Sequence, residues 1–81
     1  MKKDGFGIWF TSAEVRELKR EFRKGTRLMC ISYTDHYHPI DPGEKGTVEE
    51  VDAMGMVHVR MDSGRQATIT PLVDDFRIIN D

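Results

Sequence analysis

Apolar and polar residues alternate with period two along GTVEEVDAMGMVHVRMDSGRQ, residues 46–66. Val57, Val59 and Met61 alternate with His58 and Arg60. Gly- and Asp-rich clusters at 52–55 and 62–64 bound the run. Such alternation between turn sequences predicts half-buried antiparallel strands, here at about 46–52, 55–62 and 65–70. Upstream, GTRLMCISY (25–33) predicts a first strand. Leu28 and Cys30 should face inward, with Arg27, Met29, Ile31 and Tyr33 outward. That outer face is apolar enough to invite cover from a helix or a partner. Residues 71–75 predict a turn of 3₁₀ helix, and 76–79 a last short strand.

The period changes before the first strand. Val15, Leu18 and Phe22 recur at helical spacing and predict an amphipathic helix over 12–24. Thr11 and Glu14 fit a capping box, and Phe10 with Val15 a hydrophobic staple. Arg23 and Lys24 suit the negative end of the helix dipole, and Gly25 suits a left-handed stop. Residues 34–45, TDHYHPIDPGEK, read as a long loop of the kind that carries function in so small a domain. Residues 1–10 read as a flexible arm and 11–81 as one domain. Together the elements predict a mainly β fold: a five-stranded SH3-like barrel preceded by one amphipathic N-terminal helix. An OB-fold barrel normally has its helix between the third and fourth strands, whereas here the helix comes first.

Eighty-one residues allow one small core and little room for a deep catalytic cleft. No apolar run reaches membrane-spanning or signal-peptide length, so a cytoplasmic location with no membrane partner is expected. Cys30, the sole cysteine, excludes an intramolecular disulfide and reads as a buried core residue. The net charge of −2 conceals an asymmetry. Residues 1–27 hold eight Lys/Arg against four acids, whereas 28–81 hold four against ten.

Candidate chemistry follows from these charges and from the loop. Arg16, Lys19, Arg20, Arg23 and Lys24 offer a basic helix surface for nucleic acid, though a sequence pI of about 5.9 argues against a strongly basic domain. Tyr37, His38 and Pro39 in the long loop, with His58 and Arg60 on the strand face, form a candidate surface for a protein or peptide. The acidic remainder of the chain favours a basic partner. His58 and Arg60, joined by Arg65, are alternatively placed to grip a carboxylate or phosphate. Asp35, His36, His38 and Asp41 invite a zinc reading, but a Pro-rich loop does not hold three or four convergent ligands, so no metal or cofactor is expected. Nucleophile–base spacings, phosphate-cradling loops and zinc-protease motifs are lacking, so no enzyme activity is expected. Trp9 and Phe10 either staple the helix or form an interaction patch, and exposed strand edges leave room for a homodimer.

Several short motifs carry a family resemblance. They are KGTR at 24–27, Tyr37-x-Pro39-Ile40-x-Pro42-Gly43, Gly46-Thr47-Val48-x-x-Val51-Asp52, Gly55-x-Val57-His58-Val59-Arg60-x-Asp62-x-Gly64 and Val73-Asp74-x-Phe76. Over about 11–79 the chain resembles the domain of unknown function numbered 4314, found in small proteins of bacteria, phages and mobile elements. It departs from that pattern at Met61, often Trp in the family, and at Pro71-Leu72, often Pro-Gly. The resemblance implies the fold and carries no activity. Its phage-like setting adds a further expectation, a small-ligand-binding protein in phage–host conflict.

Overall fold

The computed structural model describes residues 10–80. Trp9 and most of the expected N-terminal arm lie outside the described residues. Helix α1 (Ser12–Glu21) starts at the predicted capping box: Glu14 N–H donates to Thr11 Oγ1, and Thr11 N–H donates to Glu14 Oε1. It ends three residues before the expected stop, with Phe22 as its C-cap. The cause is tertiary. Gly25 N–H donates to Val48 O rather than back to Glu21, and Val48 N–H donates to Thr26 O, so the chain is already joined to the second strand where the helix is expected to finish. Gly25 does adopt a left-handed φ of 93°, in the turn after the helix. Phe10 lies half-buried, its ring so close to Gly55 that a Cβ there would meet it at 2.5 Å.

Five strands follow: β1 (Arg27–Ser32), β2 (Lys45–Val51), β3 (Val57–Met61), β4 (Gln66–Ile69) and β5 (Asp75–Ile78). All are antiparallel, in the order β4-β3-β2-β1-β5 within one sheet. Among the described residues no ladder joins β4 to β5, so the sheet is not closed by hydrogen bonds. Residues 71–73 form a turn rather than the expected 3₁₀ helix: Val73 and Asp74 N–H both donate to Thr70 O.

The inner face carries Leu28, Cys30, Val48, Val51, Val57, Val59, Met61, Ala67 and Ile69, joined by Ile40 from the loop. α1 lies against β2 and buries Val15, while Leu18 and Phe22 pack on the same core. Two bulges decide which side chains reach it. In β2 the pairing passes from Val48↔Val59 to Glu50↔His58, leaving Glu49 as the extra residue. Val48 and Val51, three apart, can therefore both face inward. In β1 it passes from Cys30↔Phe76 to Ser32↔Asp75, leaving Ile31 extra. That shift exchanges the two faces beyond Ile31. Tyr33, expected on the outer face, turns instead to the core side and meets Phe76 edge to face at 5.9 Å.

Candidate functional site

The long loop is held at both ends and at its tip. Asp35 Oδ1 accepts N–H bonds from Tyr37 at 2.8 Å and His38 at 3.2 Å, folding the tip around one carboxylate. The Tyr37 amide bond, more than any other contact, lowers the Asp35 pKa from its ordinary 3.8. His38 Nδ1 lies 3.4 Å from Asp35 Oδ2. Arg65, in the β3–β4 turn, donates to Pro39 O. Ile40 is buried and anchors the return of the chain. Gly43 N–H then donates to Cys30 O, and Cys30 N–H to Glu44 O.

Between this loop and β4 lies a cleft of about 270 Å³, lined by Tyr33, Asp35, His38, Gln66, Ala67 and Thr68. Tyr33 O–H donates to Thr68 O at 3.1 Å and ties the end of β1 to the free side of β4. Burial, with the charges of Asp35 and Asp74, raises the Tyr33 pKa above 10.0, so its hydroxyl stays protonated and able to donate. Asp74 braces the same corner. Its Oδ1 accepts from Thr34 N–H and Oγ1–H, and its Oδ2 from Thr70 N–H.

The predicted residues divide into separate groups. His38 lines the cleft, Pro39 is held beside it by Arg65, and Tyr37 projects from the tip with 90% of its surface exposed. His58 and Arg60 lie on the outer sheet face, across from Thr68 and Gln66 respectively. Both are paired: His58 Nε2 sits 2.8 Å from Asp52 Oδ2, and Arg60 Nε donates to Glu49 Oε2 at 3.1 Å. Gln66 Nε2 donates to the other Glu49 oxygen. The trio His58, Arg60 and Arg65 is therefore engaged internally and does not form an open anion grip. Arg27 reaches across β2 to make a two-pronged bond to Asp62 at 2.7 and 2.8 Å, so the outer face is a lattice of compensated charges.

Arg16, Lys19, Arg20, Arg23 and Lys24 are all exposed, and Arg20 pairs with Glu17 at 2.6 Å. Cys30 is buried, its Sγ 3.7 Å from Ile40 O. Burial, then the carboxylates of Glu44, Asp74, Asp41 and Asp75, push its thiol pKa up from 9.0, the opposite of a reactive thiolate. Among the described residues no three His, Cys, Asp or Glu side chains converge as metal ligands. No described helix is long and apolar enough to cross a membrane.

Sequence reasoning missed Tyr33, Asp35, Gln66 and Thr68 as walls of the cleft. The Asp35-x-Tyr37-His38 spacing carried a signal for Asp35, because an Asp two residues before a turn amide favours such a loop. Nothing in the sequence signalled the bulge that brings Tyr33 round.

A capped helix, an antiparallel five-stranded sheet and a tethered loop define a small β domain with one core. The chain belongs to the family described as Domain of unknown function (DUF4314), which matches residues 11–79. No curated protein and no solved structure matches it.

Proposed function

We propose that this protein is a non-enzymatic, SH3-like binding module that takes a protein or peptide segment in the cleft between the 33–44 loop and β4. The observation that carries the reading is the tethered loop tip. Asp35 and Arg65 fix the loop in place, yet Tyr37 is left 90% exposed with no packing of its own. An exposed aromatic on a loop tip whose backbone is already tethered is the kind of group that anchors a partner, since it offers large contact area and the backbone has little further entropy to lose. The strand order and the position of the long loop between β1 and β2 support the SH3-like comparison. The cleft walls supply peptide-sized chemistry: the Tyr33 ring, the Asp35 carboxylate, the His38 imidazole, and the amide and hydroxyl of Gln66 and Thr68.

The test is selection from a displayed peptide library on the folded protein. A shared motif should emerge, and Tyr37→Ala and His38→Ala should each weaken its binding about tenfold or more. Failure to enrich any motif, or binders indifferent to both substitutions, overturns the reading. The exposed cations of α1 and the residues after it favour a second reading, nucleic-acid binding. A gel shift at low salt that disappears in Arg16→Ala/Arg20→Ala would support it. Glu14, Glu17 and Glu21 on the same helix rank it below the cleft.

A further inference from the structure

Part of the β4 backbone is turned to the cleft rather than to its neighbouring strand. Met61 N–H donates to Arg65 O at 2.8 Å where β3 turns into β4. Antiparallel ladders exchange such bonds at every second pair. With Val59 opposite Ala67 and Val57 opposite Ile69, Ala67 and Ile69 are the β4 residues that bond to β3. Gln66 and Thr68 alternate with them, so their N–H and C=O groups point to the free side of the strand. That side is the cleft, because Gln66, Ala67 and Thr68 line it and the Tyr33 hydroxyl bonds Thr68 O. Beyond Thr68 the edge is closed. Tyr33 occupies Thr68 O, Asp74 Oδ2 accepts from Thr70 N–H, and Thr70 O accepts from Val73 and Asp74 N–H. Gln66 N–H, Gln66 O and Thr68 N–H have no hydrogen-bond partner among the described residues.

From this placement, and resting on the cleft reading above, we infer that the bound segment is an extended peptide that joins the sheet as an added strand on β4. In this mode main-chain bonds supply affinity, and alternate side chains supply specificity. The open window, Gln66 to Thr68, is roughly 7 Å of strand. Asp35 and His38 of the loop tip line the same cleft, and Arg65 fixes that loop through Pro39 O. A single extended segment fits between loop and strand. A second copy would bring its own β4 behind its own tethered loop. A polyproline segment would leave Gln66 O unpaired, because proline has no N–H to give. Side-chain alternation sets the chemistry of the segment. Its residue opposite Ala67 faces the inner side, where Ala67 offers only a methyl group and Tyr33 packs toward the core, so that residue is apolar. The residues on either side of it share the outer face with Gln66 and Thr68, and are polar.

The probe is a synthetic heptapeptide carrying the most enriched sequence from the displayed library. At saturation, amide exchange of Gln66 and Thr68 in the full chain should slow at least about tenfold, whereas Ala67 and Ile69, already bonded to β3, should change less. Thr68→Pro deletes one cleft-facing N–H and leaves the β3 ladder its bonds, as an edge position tolerates. It should bind the heptapeptide at least about fivefold more weakly than Thr68→Val, which keeps that N–H. If Thr68→Pro does not fold, the exchange measurement on the parent chain decides alone. Unchanged exchange at both amides, or equal binding to Thr68→Pro and Thr68→Val, overturns the added strand; if Tyr37→Ala still weakens binding, the cleft reading survives. Failure to enrich any sequence removes both. Gln66 and Thr68 amides already protected in the peptide-free chain at high concentration would give the edge to a second copy and overturn the added peptide strand.

Discussion

Gly46 is the position at which one added carbon should do the most damage. It sits buried in β2 between Leu28 of β1 and Met61 of β3. Asp62 N–H donates to Lys45 O at 2.9 Å, so by antiparallel alternation Gly46 and Met61 form the close, non-hydrogen-bonded kind of pair. A Cβ at Gly46 would stand 2.7 Å from Val59 Cγ1, 2.9 Å from Arg60 O and 2.9 Å from Met61 Sδ. Met61 can swing its flexible end aside, but Arg60 O belongs to the β2–β3 backbone, so the strands themselves must part. Overpacking that forces such a shift costs about 2–3 kcal/mol. In a domain of this size that lowers Tm by roughly 10–20 °C. Urea unfolding of Gly46→Ala should show a reduced midpoint at unchanged m-value. Gly43→Ala is the control: its Cβ meets nothing within 4 Å, and only its φ of +94° opposes the change, at about 1 kcal/mol. A Gly46→Ala protein within about 0.5 kcal/mol of the parent, or no worse than Gly43→Ala, would refute the packing argument.

Thr11→Ala should cost about 1 kcal/mol by removing the acceptor for Glu14 N–H, read from the urea midpoint. Tyr33→Phe keeps the ring against Phe76 but leaves Thr68 O without its donor, and should cost about 0.5–1.5 kcal/mol on the same assay. Tyr37→Ala, at so exposed a site, should leave Tm unchanged while affecting partner capture. Asp52 contributes to acid sensitivity. Burial opposes its ionisation, but bonds from His58 and from the Met56 and Met54 amides outweigh it and hold its pKa below 3.8. Its contribution is therefore present above pH 3.8 and lost as pH falls through the lowered value. Asp52→Ala should flatten the fall in Tm between about pH 5 and pH 2, and an unchanged slope would count against the pair.

The elements were legible in the sequence where local chemistry decides them. Thr11 and Glu14 declare the helix start because both capping bonds lie within four residues. Val57, Val59 and Met61 declare β3 because its one buried face repeats every second residue. Legibility failed where distant backbone intervenes. The helix stops at Glu21 and by Gly25 the backbone is bonded to Val48 of β2, a pairing that no residue near 22 encodes. Tyr33 changed faces because Ile31 bulges against a strand more than forty residues away. The candidate site shows the same division. His38 and Pro39 stood out as an irregular loop rich in turn formers, whereas Gln66 and Thr68 look like any solvent-facing strand residues until the loop folds beside them. His58 and Arg60 drew attention as isolated polar groups, and only the sheet register supplies their partners Asp52 and Glu49.

The sheet order also has a bearing on how the chain is made. Strands β1 to β4 each pair with the next along the chain, through the long 33–44 loop and then two short turns. β1 finds its other neighbour in β5, where Cys30 meets Phe76. During synthesis the first strand must therefore wait, one edge bare, until nearly the whole domain has left the ribosome. In that interval the nascent chain presents an unpaired strand edge over an unfinished core. How fast β5 docks, rather than how stable the finished sheet is, then sets how long that edge stays open to the wrong neighbour.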